Sequence, residues 1–589
     1  MCARVKINIA MSRFKYLVIG SLLLTACAQT PMRDDSAQLV QSEQTTTAPE
    51  SRVEIAPVLP NIELSSDLLY EFLLTEVANQ RGHKALAVEG SADLTRKTRD
   101  PRLARRAAQL AFESGEIGKA VDALKQWQAV EPASIVAAHM LSSLLLRAGK
   151  LDEAQLEFAK VLKAEEANVG SVFLQTFQSI ASYPDKAAAL KLMSNLAQPY
   201  PQLAEAHWSV AQLAQLAGDN ELALNEVKQA RNLRPEWSMA VLLEAQLLQK
   251  DAPEQGLEVL RRHLSDYPDA REVRLQYARA LLERKQYQQA RDEFRRLAKD
   301  NPEGHDMTLA IALISLQLND FQGAEEQLKQ VIGKGGKERD AAQYYLGQLS
   351  EAKKNEDEAI SYYRGVKEGE YQFSAQIRIA HLLSKNGKLD EARRYLHEAQ
   401  ATNNQQRVQL LLIEAQLLRE ANQLPEAFQV LQQGLVKLPN HPDLLYEAGM
   451  LADKIGKPAV FEQLIRKLIQ VKPDHAHAYN ALGYSLLERN QRIPEAVQLV
   501  EKALQLAPDD FAIMDSVGWG YYRSGKLDES IKMLRRAFAG NPDPEIATHL
   551  GEVLWVRGDK EEAKKIWQGS LKTNPGNALL QDIIKKFMP

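Results

Sequence analysis

The sequence predicts an all-α fold built as an array of helical hairpins, and three observations carry that prediction. The chain has 589 residues, well beyond the ~250 to 300 at which one hydrophobic core stops growing, so it is several domains or a repeat array. Ala, Leu, Gln and Glu abound while Val, Ile and Thr are sparse. Alanine and straight-chain residues lose little on entering a helix, whereas sheets favour β-branched and aromatic residues, and aromatics make up only 6% here, which argues against a β-sandwich. The third observation is a period. Small residues stand at Ala87, Ala120, Ala154, Ala189, Ala223, Gly256, Ala290, Ala324, Ala359, Ala392, Ala427, Ala496, Ser530 and Ala563, with Phe461 filling one gap, at a mean spacing of 34 residues. Twelve residues after these positions come Pro132, Pro201, Pro235, Pro268, Pro302, Pro439, Pro473, Pro508, Pro542 and Pro575. A fixed period of this size is the mark of a solenoid.

Composition also excludes classes. The 45% apolar and 25% charged fractions match ordinary globular usage and fit neither wholesale disorder, collagen-like repeats nor a multi-span membrane protein. Residues 1–26 carry Arg4, Lys6, Arg13 and Lys15 and no acid, so their removal takes the net charge from −4 to −8. A mildly acidic body lacks the basic footprint of a nucleic-acid binder.

Taken in order, the first element is a signal. Arg13 and Lys15 precede an apolar run at residues 16–24, followed by Thr25, Ala26 and Cys27, the charged, apolar, small-residue order of a secretory leader. The run is too short to span a bilayer, which takes about 20 helical residues. Leu24, Thr25, Ala26 and Cys27 resemble a bacterial lipobox, which implies cleavage after residue 26 and a diacylglycerol on Cys27. The other reading of the same residues is an ordinary secretory leader with an incidental cysteine. Met11 opens a more typical leader than Met1 does, and with that start Cys27 is the only cysteine, leaving no internal disulfide. Ala28, not Asp, follows it, as in bacterial lipoproteins sorted to the outer membrane. Residues 27–62 then form the lipidated cysteine and a linker rich in Gln, Ser, Thr and Pro without helical period. Such a tether is disordered and reaches ~30 Å.

The 34-residue period with these marks resembles the tetratricopeptide repeat, a helical hairpin with Gly or Ala near its eighth position, a small residue near its twentieth and Pro near its thirty-second. The resemblance spans residues 65–577 and is clearest in the last repeat, with Gly551 on the first helix, Gly558 at the turn, Ala563, Trp567 and Pro575. It implies a right-handed superhelix of about fifteen hairpins. Small residues let paired helices approach closely, and Pro ends one helix while pre-setting the next. The expected organisation is degenerate repeats over 63–203, central repeats over 204–338, C-terminal repeats over 339–577 and a capping helix within 578–589. Two places depart from the pattern. The hairpin over 169–202 has Tyr183 and Pro184 where the turn Gly belongs, although Phe173, Phe177 and Ile180 still mark its first helix. At Gly333, Gly335 and Gly336 glycines replace the expected Pro, so that junction reads either as a hinge or as a longer loop.

No phosphate-binding loop, nucleophile elbow or zinc-protease motif occurs, and no enzyme, cofactor or small-molecule substrate is expected. The best metal candidates are His475 and His477 beside Asp474, with His441 one repeat earlier. They directly follow Pro473 and Pro439, where a starting helix wants polar residues, so capping accounts for them and no metal is predicted. Charged residues read as solvated faces or as partners one helical turn apart.

What remains is surface. The resemblance implies that first helices line a concave groove, placing Asn480, Tyr484, Asp515, Trp519, Tyr522, Arg523, Thr548, Glu552 and Trp555 on one ridge. Aromatics and Arg beside acids are what recognition surfaces use. The alternative is that Trp519 and Trp555 fill gaps between hairpins. A second surface comprises Leu68, Leu69, Phe72, Leu73 and Val77, with Tyr70 and Leu74 facing elsewhere, more apolar area than one docking face needs. It reads as the self-capping start of the array or as a partner-docking helix.

The stretches around Asp515 to Trp519 and His549 to Trp555 resemble the C-terminal signature of large proteobacterial tetratricopeptide lipoproteins. The whole chain resembles periplasmic outer-membrane lipoprotein adaptors that partner a carboxyl-terminal processing protease. That resemblance implies a solenoid that binds both the protease and its clients, such as cell-wall hydrolases, and catalyses nothing. The two surfaces divide the work in our reading of the residues: Leu68, Leu69, Phe72 and Leu73 are expected to dock the protease, and the groove from Asn480 to Trp555 to take the client. The alternative is a scaffold of an envelope export machine, such as polysaccharide export.

Overall fold

The computed structural model describes residues 59–300 and 304–588. The expected signal, Cys27, most of the tether and Pro302 lie outside the described residues. Among those described there are thirty-one α-helices, numbered α1 to α31 in chain order, and no strand. Thirty pair into fifteen hairpins, from α1 (Ser66–Gln80) with α2 (Lys84–Thr98) to α29 (Pro544–Arg557) with α30 (Lys560–Thr573), and α31 (Ala578–Phe587) follows. The expected count and the closing helix are both present.

The period has a physical cause visible in every hairpin. Each recurring small residue lies on a second helix and is fully or almost fully buried against the first. Ser530 sits there too, its hydroxyl donating to the Gly518 carbonyl at 2.7 Å, which satisfies a buried polar group. Phe461, in the one gap, is equally buried. The clearest close approach is at Gly551, where a Cβ would stand 2.1 Å from Trp567 Nε1. With no side chain at position 551, the indole of Trp567 on α30 brings its N–H edge against the α29 backbone and donates to the Thr548 carbonyl at 3.3 Å. Helix starts are capped as local chemistry requires: Ser65 accepts from Leu68 N–H, Asp510 from Ala512 and Ile513, and Asn577 from Leu580. Gly558, at φ 109°, closes α29 in the left-handed region.

The described chain divides into two compact units between Val331 and Ile332, near the end of α16 (Phe321–Lys334). Gly335 and Gly336 follow with positive φ. In the first unit a core runs from Ala78 to Leu213 around Trp127, Phe158 and Phe173. The irregular hairpin belongs to it as α7 (Val169–Ala181) and α8 (Lys186–Ala197). In place of a turn Gly, the Lys186 ammonium donates to the carbonyls of Ala181 and Tyr183, each at 2.8 Å, taking up acceptors that the end of α7 leaves open.

The second unit stacks its hairpins on Tyr363, Phe461 and Trp567, each almost wholly buried. At its end α31 buries Leu580 and Ile583, and Phe587 lies 5.7 Å from Trp567, ring to ring.

Charged residues do more than the sequence reading assigned them. Besides pairs within one helix, many join equivalent helices of adjacent hairpins, as in Lys125 with Glu153 (2.6 Å), Arg364 with Glu391 (3.3 Å) and Arg535 with Glu562 (2.7 Å). The partners stand 27 or 28 residues apart, in neighbouring hairpins, a spacing that helix-turn arithmetic does not find. Others are buried: Glu414 accepts from Arg393 and pairs with His397, both at 2.9 Å.

Candidate protein-binding surfaces

In the second unit the first helices α23 (Pro442–Lys454), α25 (Ala476–Glu488), α27 (Phe511–Arg523) and α29 follow one another at one-repeat intervals. Together with α21 (Asn404–Glu420) they line two open cavities of about 280 and 310 Å³ that have Tyr446 in common and follow the first helices as a trough. Asn480, Tyr484 and Asp515 of the expected ridge line it, with Glu488 and Glu545.

A buried cluster adjoins it through Asp515. His549 Nδ1 lies 2.9 Å from Asp515 Oδ2, and both residues are buried. Trp519 stacks on the His549 ring at 4.3 Å and 22° and donates its indole N–H to Glu488 Oε1 at 2.8 Å. Burial disfavours a charged imidazole, but the Asp515 carboxylate overrides it, helped by Glu545 and Glu488, and the His549 pKa is raised. Once protonated, the ring is held between a carboxylate and an indole face, a charge-assisted hydrogen bond joined to a cation–π contact. Tyr484 donates to Glu545 Oε1 at 3.0 Å, and burial pushes its phenol up. Tyr522 lies 5.0 Å from Trp519 and donates to Glu552 Oε1 at 3.4 Å, while the Arg523 guanidinium sits 5.9 Å from the Trp519 ring.

The expected ridge therefore divides. Trp519 is only 6% exposed, wedged between hairpins rather than presented to solvent. Trp555 packs between Trp567 and Phe587 at 5.8 Å from each, part of the contact that α31 makes. Both indoles fill gaps, because an aromatic of their size bridges the space between stacked helices. Thr548 bonds back to the Pro544 carbonyl. Tyr522, Arg523, Asn480 and Tyr484 are half-buried and remain partly open. His475 accepts from Ala478 N–H through Nδ1 at 3.1 Å, capping α25, and burial lowers its pKa.

At the other end, α1 exposes apolar side chains around most of its circumference. Leu69, Tyr70, Phe72, Leu73, Leu74 and Val77 are all exposed and Leu68 is half-buried. Its buried positions are Thr75 and Ala78. The helix docks through this small strip, where a Cβ on Gly90 would meet Thr75 Oγ1 at 2.3 Å. The large apolar residues do not serve the docking of α1 on its own array.

A tetratricopeptide repeat model matches residues 247–305, 275–334, 309–375, 377–442, 446–511 and 518–578. The chain belongs to the tetratricopeptide repeat family. It is similar to the TPR repeat-containing protein PA4667 of Pseudomonas aeruginosa, with 39% identity over 489 residues covering 83% of this chain and 82% of the relative. It also resembles cellulose synthase operon protein C of Pseudomonas fluorescens, 31% identical over 177 residues, covering 28% of this chain and 13% of that protein. Among solved structures it is similar to a tetratricopeptide repeat protein from Parabacteroides merdae (17% identity, 48% of this chain, 99% of that chain, TM-score 0.32). Another is the APC/C hetero-tetramer Cut9–Hcn1 (14% identity, 83% of this chain, 97% of that chain, TM-score 0.28). Hairpins before residue 247 lie outside the matched repeats, in the part whose sequence marks are most degenerate.

Within the tetratricopeptide frame, the sequence reading missed Glu488 and Glu545, which hold Trp519 and Tyr484. Glu488 lies one position before Arg489 near the end of α25, and only the next hairpin shows what it touches. His549 was visible only inside a signature stretch. Its partner lies 34 residues earlier, one repeat away, so a search at one-repeat offset pairs them.

Proposed function

We propose that this tetratricopeptide protein is a non-catalytic adaptor, anchored through lipidated Cys27 to the outer membrane and facing the periplasm. It binds a carboxyl-terminal processing protease through α1 and client proteins, cell-wall hydrolases among them, in the trough of the second unit. The observation that carries this reading is the pair of distinct surfaces: an apolar helix not consumed by its own packing, and a polar, aromatic-lined trough in the other unit. Holding protease and client on one tethered chain raises their mutual effective concentration without chemistry in the adaptor. The family and the relative from Pseudomonas aeruginosa agree with a protein-binding role.

The test is affinity capture from solubilised envelope followed by mass spectrometry. The full chain should bring down a processing protease and hydrolases. Deleting residues 65–80 should lose the protease and keep the clients, and Asn480→Ala with Tyr484→Ala, in the trough, should do the reverse. Capture of export-machine components without a protease would overturn the adaptor reading. That outcome would favour the second one, an envelope export scaffold, which the similarity to cellulose synthase operon protein C supports.

A further inference from the structure

The trough is unbalanced in charge. Asp443, Glu447, Asp453, Glu488, Asp515 and Glu545 line it against two guanidinium groups, Arg419 and Arg489. Those two are already engaged, Arg419 with Glu447 at 3.3 Å and Arg489 with Asp453. Asp515 is engaged by His549. Glu488 and Glu545 receive only neutral donors, the Trp519 indole and the Tyr484 phenol. Each of these bonds is made at Oε1, and the one ring that can carry a positive charge near them, His549, is bonded to Asp515, so the three carboxylates together keep a net negative charge.

A second observation points to a ligand. Ser485, 8% exposed, lines the same trough between Tyr484 and Glu488, and its buried hydroxyl has no hydrogen-bond partner. Asn480, one turn earlier on α25, likewise leaves its buried side-chain carbonyl oxygen unpartnered. Buried polar atoms are ordinarily satisfied, so two open acceptors beside the trough can pair with a donor that enters it. The hydroxyl can accept or donate and the amide oxygen accepts, which suits the N–H groups of a peptide backbone or a guanidinium. Tyr446 and Tyr484 add aromatic faces of the kind on which guanidinium groups stack.

We infer that the trough takes an extended segment of a partner protein bearing arginine or lysine, its cations received by Glu488 and Glu545 and its polar backbone by Ser485 and Asn480. This deepens the client-groove reading and rests on it. Two open cavities in succession along the first helices, with Tyr446 in both linings, fit a chain rather than a compact small molecule, and an anionic trough both steers a cationic segment and selects against an acidic one.

The test uses the full chain and a short fluorescein-labelled peptide with arginines spaced by glycine and serine, beside versions with glutamine or glutamate in their place. Fluorescence anisotropy should show binding of the arginine peptide that weakens with salt, and little of the others. Glu488→Gln with Glu545→Gln keeps both hydrogen-bond acceptors and removes the charge, and should weaken binding about tenfold or more. Ser485→Ala should weaken binding severalfold with no loss of thermal stability, since its hydroxyl has no partner in the free protein. Equal binding of the glutamine peptide, or unchanged affinity in the double variant, overturns the inference. If the basic peptide fails while envelope clients are still lost on Asn480→Ala with Tyr484→Ala, the groove reading stands and only this assignment falls. If neither depends on the trough, both fall.

Discussion

His549 Nδ1 lies 2.9 Å from Asp515 Oδ2, joining the first helices of two successive hairpins through a buried ion pair. Burial opposes the charged ring and the carboxylate overrides it, so the folded pKa stands above the unfolded value of about 6.5. The sign follows from linkage. The stabilisation is fully present below the unfolded pKa and is lost as pH rises through the raised folded value. Hydrogen exchange of α27 and α29 should therefore show weaker protection as pH climbs through that window, after correction for intrinsic exchange. Asp515→Asn should remove the dependence. An unchanged pH profile in that variant would show that another group titrates.

Gly551 makes a second dependence testable. A Cβ there would meet Trp567 Nε1 at 2.1 Å, so Gly551→Ala must displace the indole, although alanine is the better helix former. Overpacking of this kind costs about 1 to 3 kcal/mol, and Gly551→Pro costs ~3 kcal/mol or more through the broken helix. Because repeats contact only their neighbours, the loss should be confined to α29, α30 and α31, with the first unit unaffected. Mass-resolved hydrogen exchange distinguishes the two cases, and a uniform loss along the chain would contradict a modular array.

How much of this was readable from the residues follows from what repeats encode. Ala87, Ala223 and Ala563 report a constraint imposed in every hairpin, the close approach of its two helices, so period, hairpin count and closing helix could be counted along the chain. Trp519 and Trp555 were ambiguous for a physical reason. A ridge position on a first helix borders both the trough and the next hairpin, and which one the ring enters depends on neighbours such as His549 and Phe587 that only three dimensions bring near. The cross-repeat ion pairs, Lys125 with Glu153 among them, escaped because the expectation looked one helical turn away and the partners lie in the next hairpin, 28 residues away in this case. Orphan groups such as the Ser485 hydroxyl leave no trace in sequence at all, since an unmet hydrogen bond is a property of surroundings.

The anchor prediction concerns Cys27, which lies outside the described residues. No helix among those described is long and apolar enough to cross a membrane, so membrane association by the proposed route depends on the lipid. Cys27→Ser should release the protein to the soluble fraction or leave an uncleaved precursor. Metabolic labelling with a fatty-acid analogue should mark the wild type alone. A Cys27→Ser form that is cleaved and still sediments with membranes would remove lipidation as the anchor.

The last prediction separates folding from docking at α1. Phe72 is 40% and Leu73 52% exposed, and the helix is held instead by Thr75 and Ala78. Placing charge at exposed positions leaves the folded state nearly unchanged, typically within about 0.5 kcal/mol, yet it destroys an apolar patch as a binding surface, because a carboxylate buried without a partner is strongly unfavourable. Phe72→Asp with Leu73→Asp should therefore keep the wild-type melting temperature and helical content. The same variant should lose binding of an environment-sensitive apolar dye near α1 and any concentration-dependent self-association seen in sedimentation. Thr75→Asp, on the buried strip, should do the opposite by fraying α1 from α2 with measurable loss of helicity. If the exposed pair destabilised the fold as much as Thr75→Asp, the large apolar residues would be part of the array's own packing, and the protein-docking role of α1 would be wrong.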